Sequence, residues 1–269
     1  MKVGYQGEEH SYSYRASRQL FREAQWVGHQ SFIDAFAALQ SGEVERLVLP
    51  VENSTTGSVL PVLDRLASER IAILAEHKVE VRHTLLGLPE ATLEGLKRVI
   101  SHPEALSQAA KILHELGVKA VPTQDTAGAV REVAEHGDPT VAALAPEESG
   151  LSHGLQVLRR DVMDRDHNTT RFVVLAAGEP DIGPSDDKTS IVFVTSHTPG
   201  ALALALTELG LRGANLTRIE SRPADAAWQY RFFVDLVHEP GIEALKRIIE
   251  PQPSTLKDLK VLGSYKSTA

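Results

Sequence analysis

The sequence predicts an α/β protein in two parts: sheets covered by helices on both faces, then a ferredoxin-like unit. Three observations carry this reading. From residue 2 to about residue 176, short apolar runs alternate with helical patterns, the arrangement that builds parallel sheets between helix layers. Residues 177–187, A-G-E-P-D-I-G-P-S-D-D, hold two glycines, two prolines and four acids, a linker composition. Beyond them the periodicities run β-α-β-β-α-β.

In chain order, residues 2–6 read as a strand and 12–24 as a helix. Ser31 with Asp34 forms a capping box that opens a helix to Gln40. Residues 46–51 are a buried-looking strand, 58–68 a helix, and 70–86 a long stretch rich in β-formers. A strand at 98–101, a helix at 103–116, a strand at 119–122 and a helix at 126–136 follow. Next come a strand at 140–144, a short helix after Pro146 and the apolar strand 172–175. In the second part, 189–195, 216–221, 228–237 and 259–264 read as strands, and 200–209 and 241–249 as helices. Ligands of α/β sheets bind at the C-terminal ends of strands, and the polar clusters fall there.

Composition narrows the function classes. With 42% hydrophobic residues in 269, a substantial core is available. A net charge of −8 argues against a nucleic-acid or anionic-membrane surface. The absence of cysteine excludes disulfides, cysteine metal sites and thiol nucleophiles. The first residues, M-K-V-G-Y-Q-G, lack the apolar region of a signal peptide, and no run of ~18 apolar residues exists. A cytoplasmic protein is the expectation.

Four clusters invite chemistry. Residues 50–58, P-V-E-N-S-T-T-G-S, end a strand and start a helix. Free N–H groups at a helix start attract anions, the hydroxyls of Ser54 and its neighbours add donors, and Gly57 admits a ligand close to the backbone. A capped helix start would explain the hydroxyls alone, but it needs neither Glu52 nor Asn53. Residues 101–108, S-H-P-E-A-L-S-Q, place Ser101 at a strand end and Gln108 about two turns into a helix. His102 is a general-base candidate or simply the helix cap. Residues 166–172, D-H-N-T-T-R-F, line up Asn168, Thr169, Thr170 and Arg171 before an apolar strand. A turn needs only one or two such residues, and Arg pairs bidentately with carboxylates. The fourth cluster, Tyr5-Gln6-Gly7 with Ser11-Tyr12-Ser13, is a hydroxyl-bearing loop. Metal-ligand spacings, phosphate loops, dinucleotide fingerprints and nucleophile elbows are all missing. Amides and hydroxyls dominate, which suits a substrate already unstable and needing mainly orientation.

With these motifs in this order, the chain resembles the prephenate dehydratases that carry a C-terminal ACT regulatory domain. The resemblance rests on Y-Q-G-x-x-x-S-Y-S (5–13), P-V-E-N-S-T-T-G-S (50–58), S-H-P-E-A-L-S-Q (101–108), D-T-A-G-A-V (125–130), G-L-Q-V-L (154–158) and N-T-T-R-F (168–172). In the second part it rests on G-A-L-A (200–203), N-L-T-R-I-E-S-R-P (215–223) and Y-R-F-F-V-D (230–235). It implies a catalytic domain at 1–178 with two lobes like a periplasmic binding protein, a linker at 179–187 and an ACT domain at 188–269. Glu52 and Thr170 would lie in or near the first lobe, Ser101 and Gln108 in the second. Prephenate would lose CO2 and water without any cofactor or metal. Thr170 would contact the departing ring hydroxyl, with Glu52, Asn53, Ser101 and Gln108 catalytic or orienting. Ser54, Gly57, Asn168, Thr169 and Arg171 would help to bind substrate, Arg171 through a carboxylate or as a structural ion pair. L-Phenylalanine would bind between ACT domains of a homodimer or homotetramer at Gly200, Ala201, Leu202, Asn215, Leu216, Glu220, Ser221, Arg222 and Pro223. Since the first strand begins at residue 2, no chorismate mutase domain is expected before it. His10 stands where many members have Gly. Two rivals share these features: an arogenate dehydratase, and a non-catalytic two-lobed anion-binding module joined to an amino-acid sensor.

Overall fold

The computed structural model describes residues 1–165, 167–224 and 229–268. Its elements run β1 (Lys2–Gln6), α1 (Tyr12–Leu20), β2 (Gln25–His29), α2 (Phe32–Ser41), β3 (Arg46–Asn53), β4 (Gly57–Ser58), α3 (Leu60–Ser68), β5 (Ile71–Glu80) and β6 (Thr84–Gly87). They continue with β7 (Arg98–Ser101), α4 (Pro103–Gln108), α5 (Ala110–Glu115), β8 (Lys119–Pro122), α6 (Thr126–His136), β9 (Val141–Ala145), α7 (Glu147–Ser152), β10 (Gln156–Arg159) and β11 (Thr169–Ala177). The last are β12 (Lys188–Val194), α8 (Ala201–Leu211), β13 (Asn215–Pro223), β14 (Tyr230–Val237), α9 (Ile242–Ile249) and β15 (Lys257–Tyr265). Among the described residues no helix is long and apolar enough to cross a membrane.

Two compact units emerge: residues 1–44, 52–57 and 78–172, and residues 45–51, 58–77 and 173–269. Strands β3, β5 and β11 each run from one unit into the other, in the lateral order β3-β11-β5.

In the first unit, β1 and β2 pair in parallel from Lys2↔Gln25 to Gln6↔His29. The helix between them is shorter than predicted. Trp26 Nε1 donates to the Phe21 carbonyl at 3.0 Å, closing the helix end, and 25–29 is a strand that its two apolar residues did not reveal. The second sheet has the order β10-β6-β9-β7-β8. It is mixed rather than parallel: β7 runs parallel to β8 and β9, but β6 is antiparallel to β9 and β10. Its apolar residues alternate between two layers. Leu85, Val99, Ala142 and Leu144 pack with α4 and α5, and Leu86, Ile100, Ala143 and Ala145 with α6. Burial on both faces explains the unbroken run V-A-A-L-A in β9.

The predicted helix 103–116 is two helices. Asp164 enters the break: its N–H donates to the Gln108 carbonyl at 2.7 Å, and its carboxylate accepts from the Lys111 N–H at 3.1 Å. Those contacts replace helical bonds, and Ala109 leaves the helical region with φ −118° and ψ 21°.

In the second unit β12–β15 form an antiparallel sheet, order β13-β14-β12-β15, the ferredoxin-like topology the sequence predicts. Of the expected strand 228–237, Trp228 lies outside the described residues. Ile191, Phe193, Val234 and Leu236 meet Ala205, Leu209 and Ile248 in one apolar layer. Segments 45–51, 58–77 and 173–187 belong to the same unit. Lys188 Nζ donates to Glu76 Oε2 of β5 at 2.7 Å, and Lys260 caps the end of α3 through the carbonyls of Leu66, Ala67 and Glu69.

Candidate active site

Asn53 closes β3, and its side chain begins a chain of amide contacts within the first unit. Its carbonyl Oδ1 accepts from the N–H groups of Thr55 (2.9 Å) and Thr56 (3.1 Å), an Asx turn that fixes which end of the amide faces outward. Its Nδ2 therefore points away, donating to Asn168 Oδ1 at 2.6 Å and to Thr170 Oγ1 at 2.9 Å. Asn168 is buried, and its Nδ2 donates to Gln108 Oε1 at 2.9 Å. The first, second and third sequence clusters thus meet through Asn53, Gln108, Asn168 and Thr170, although 117 residues separate Asn53 from Thr170.

Thr170 is buried, and its Oγ1 accepts from Asn53 Nδ2. Ser54 and Thr169 are joined through the backbone: Ser54 N donates to Thr169 O at 2.9 Å, and Thr169 N to Ser54 Oγ at 3.0 Å. Gly57 has φ +86°, and no atom lies within 4 Å of an added Cβ. The turn, not close packing, requires glycine there.

Other candidates sit differently. Arg171 Nε donates to Glu52 Oε1 at 2.7 Å, with side chains 6% and 33% exposed. The arginine is therefore engaged in an ion pair beside Thr170. Ser101 is fully buried and gives its proton to the Leu144 carbonyl at 2.5 Å, tying β7 to β9. His102 is the cap of α4, its Nδ1 accepting from Glu104 N at 3.3 Å. Asp166 lies outside the described residues. His10 has φ +66°, the left-handed backbone that glycine adopts without strain.

Tyr12 and His83 form a further contact in the same unit. His83 is 3% exposed. Burial pushes its pKa down to about 4. Tyr12 packs edge-on to the His83 ring, centroids 5.7 Å apart, and its hydroxyl donates to the Arg82 carbonyl at 2.5 Å. Burial raises that phenol's pKa. Tyr12 fell in the fourth sequence cluster, but His83 follows a strand with no polar neighbours of its own kind to mark it. The first unit also holds a cavity of about 600 Å³ between Gln6–Glu9, His29 and Asp125–Arg131.

In the second unit Gly200, Ala201 and Leu202 line a cavity of about 640 Å³ with His197, Tyr230 and Phe232. Asn215, Leu216 and Glu220–Pro223 lie on β13, the sheet edge, and do not line it. Glu220 instead accepts from Ser58 Oγ at 2.7 Å, Arg218 donates to the same hydroxyl at 2.6 Å, and Arg222 pairs with Asp64 at 2.8 Å. No group of acids and histidines able to hold a metal ion occurs among the described residues.

The family model described as prephenate dehydratase matches residues 3–180. A dual relative, arogenate dehydratase/prephenate dehydratase 2 of Arabidopsis thaliana, is 36% identical over 277 residues, covering 98% of this chain and 72% of that one. The bifunctional chorismate mutase/prephenate dehydratase of Escherichia coli is 32% identical over 275 residues, covering 99% and 71%. The crystal structure of prephenate dehydratase from Arthrobacter aurescens in complex with L-Phe matches with a TM-score of 0.88 at 27% identity, covering 99% of this chain and 90% of that one.

Proposed function

The chain belongs to the prephenate dehydratase family, and from that premise we propose that it converts prephenate to phenylpyruvate, CO2 and water. One observation carries the mechanism. Asn53 donates to the Thr170 oxygen, which leaves the hydroxyl's own proton for a leaving hydroxyl. The ring C–O bond of prephenate breaks as its carboxylate leaves as CO2. The electrons of the ring–carboxylate C–C bond restore the aromatic ring, those of the C–O bond leave with the hydroxide, and that hydroxide takes a proton to become water. Thr170 donates a hydrogen bond to that oxygen. An aliphatic hydroxyl is too weak an acid to supply the proton alone, because general acids work best near the operating pH. With Glu52 paired to Arg171, water is the better source. The Glu52–Arg171 pair then serves to hold β3 against β11 at Thr170. Asn53, Asn168 and Gln108 orient the hydroxyl, and Ser101 supports the sheet beneath α4.

The second unit fits an ACT domain regulated by L-phenylalanine. Support comes from its ferredoxin-like topology, from the cavity at Gly200–Leu202, and from the L-Phe complex of the Arthrobacter relative. Its edge strand β13 exposes Ile219 and offers unpaired backbone to a second copy. A dimer would then bring Asn215–Pro223 of one chain to the cavity of another.

The test is phenylpyruvate formation from prephenate at mildly alkaline pH, where spontaneous acid breakdown is slow, with arogenate run in parallel. Wild type turns prephenate over, and Thr170→Ala loses about 10²–10⁴ in kcat. Preference for arogenate would move the substrate to the amine. Inertness toward both would leave a binding module.

A further inference from the structure

The loop that carries Asn53 leaves the second unit and returns to it, and the point of return is held by side chains of β13. We propose that Ser58, bonded to both Arg218 and Glu220, is the positioning residue through which L-phenylalanine at the C-terminal segment governs turnover. The proposal rests on the dehydratase reading with its L-phenylalanine regulation, and it names the contact that carries that regulation.

Residues 52–57 leave the second unit after Val51 and re-enter it at Ser58. The Val59 N–H donates to the Val51 carbonyl at 2.9 Å, which closes the base of this loop within that unit. Asn53, the donor to Thr170, follows Val51 and Glu52 directly. Ser58 leads into α3, yet its hydroxyl does not cap that helix, which has no side-chain cap bond at its N-terminus. Both sides of the hydroxyl go to β13 instead. Ser58 Oγ donates to Glu220 Oε2 at 2.7 Å and accepts from Arg218 Nη2 at 2.6 Å. Further along α3, the Asp64 carboxylate accepts from Arg222 Nε at 3.1 Å and from Nη2 at 2.8 Å, a bidentate pair.

The pleat of β13 sets up this row. Alternate side chains share a face, so Arg218, Glu220 and Arg222 point one way and Ile219 and Ser221 the other. The first three are half-buried and the other two exposed. In a regular strand Arg218 would follow Leu216 into the apolar layer where Leu216 packs. The register slips between Leu216 and Arg218, and that bulge turns the charged row to the opposite face. Strand β13 is also a sheet edge, paired with β14 alone, so no second strand holds it against a load on its exposed side. A ligand that bears on β13 therefore shifts Arg218, Glu220 and Arg222 together, and Ser58 and Asp64 with them. An effector changes turnover only when it binds two arrangements of the protein unequally. The Ser58 bonds make two positions of β13 unequal at the base of the Asn53 loop.

The experiment measures phenylpyruvate formation from prephenate with and without saturating L-phenylalanine, and L-phenylalanine binding by equilibrium dialysis, in the full chain. It compares wild type, Ser58→Ala and Asp64→Asn. In wild type, L-phenylalanine should depress turnover by about 5–150-fold, the usual size of a coupling between sites. Ser58→Ala should keep its uninhibited turnover and still bind L-phenylalanine, while inhibition shrinks to about 2-fold or less as the coupling is lost. Arg218 and Glu220 remain neighbours of opposite charge on one face, so neither is stranded by the change. Asp64→Asn, which keeps an acceptor for Arg222 but not the charge, should weaken inhibition to a lesser degree. A Ser58→Ala protein inhibited as strongly as wild type overturns the inference. Loss of L-phenylalanine binding in that variant also overturns it, since Ser58 would then belong to the effector site. If Ser58→Ala fails to fold, Asp64→Asn decides: weaker inhibition with binding retained supports the inference, and full inhibition overturns it. An active wild type that ignores L-phenylalanine overturns the inference and spares the dehydratase activity. A wild type inert toward prephenate and arogenate overturns both.

Discussion

In the proposed mechanism, Thr170 needs little acidity of its own if its surroundings direct its proton toward the leaving hydroxyl. Its acceptor side is taken by Asn53, and Asn53 is pinned by two backbone N–H groups. His83 carries the residue-scale consequence for stability. Its folded pKa of about 4 lies below the ordinary value of 6.5, so between those values the unfolded chain binds the extra proton. Stability is therefore constant above pH 6.5 and falls as the pH drops toward 4, by about 3 kcal/mol at full extent. His77, also lowered by burial, acts with the same sign. Urea unfolding at pH 7 and pH 5 measures this. A His83→Phe variant should show a visibly flatter dependence, and one as steep as wild type would place the acid sensitivity elsewhere.

Helices and strands were legible wherever local pattern decided them. The Ser31–Asp34 box caps α2 as read, with Ser31 Oγ accepting from Asp34 N at 3.1 Å. Motif order brought Asn53, Gln108, Asn168 and Thr170 forward because amides and hydroxyls cluster at strand ends. What stayed hidden was set by distant residues. Strand β2 forms on β1, with little apolar content of its own, and β10 forms on β6. The break at Ala109 has no glycine or proline to announce it, since its cause, Asp164, lies 53 residues from Lys111 in sequence. His83 is invisible for the same reason: its contact, Tyr12, lies 71 residues away in sequence. The break matters because it ends α4 at Gln108 and frees that backbone to follow Asp164. Asp164→Ala should let the helix continue through Ala109 and rotate Gln108 off Asn168. Activity should fall about 10-fold, the worth of one buried amide contact, with global stability changing by about 1 kcal/mol. Steady-state kinetics beside thermal unfolding separates the two. Unchanged kcat with reduced stability would mean that the break is structural only.

At the scale of the molecule, the C-terminal β-α-β-β-α-β segment packs with neighbours from earlier in the chain. It shares a compact unit with α3 and most of β5. Gly263 shows how tight that packing is, for a Cβ added there would lie 2.1 Å from the Ile73 carbonyl oxygen. Glu76 supplies the electrostatic part. Its side chain is fully buried, it pairs with Lys188 at 2.7 Å, and its other oxygen accepts from the Thr268 N–H and hydroxyl at 2.9 Å. Arg70 and Glu179 make a second pair in the same unit, but with side chains 81% and 65% exposed. Distance alone would rank these two pairs almost equal; solvent does not. Removing the buried carboxylate strands an ammonium that is 11% exposed, so Glu76→Ala should cost about 3–5 kcal/mol. Arg70→Ala, breaking a solvated pair, should cost about 0–1 kcal/mol. Denaturant midpoints of the two variants against wild type measure the contrast. Similar small shifts would mean that Lys188 finds water or another acceptor once Glu76 is gone, and that the C-terminal segment is held to β5 by packing at Gly263 rather than by charge.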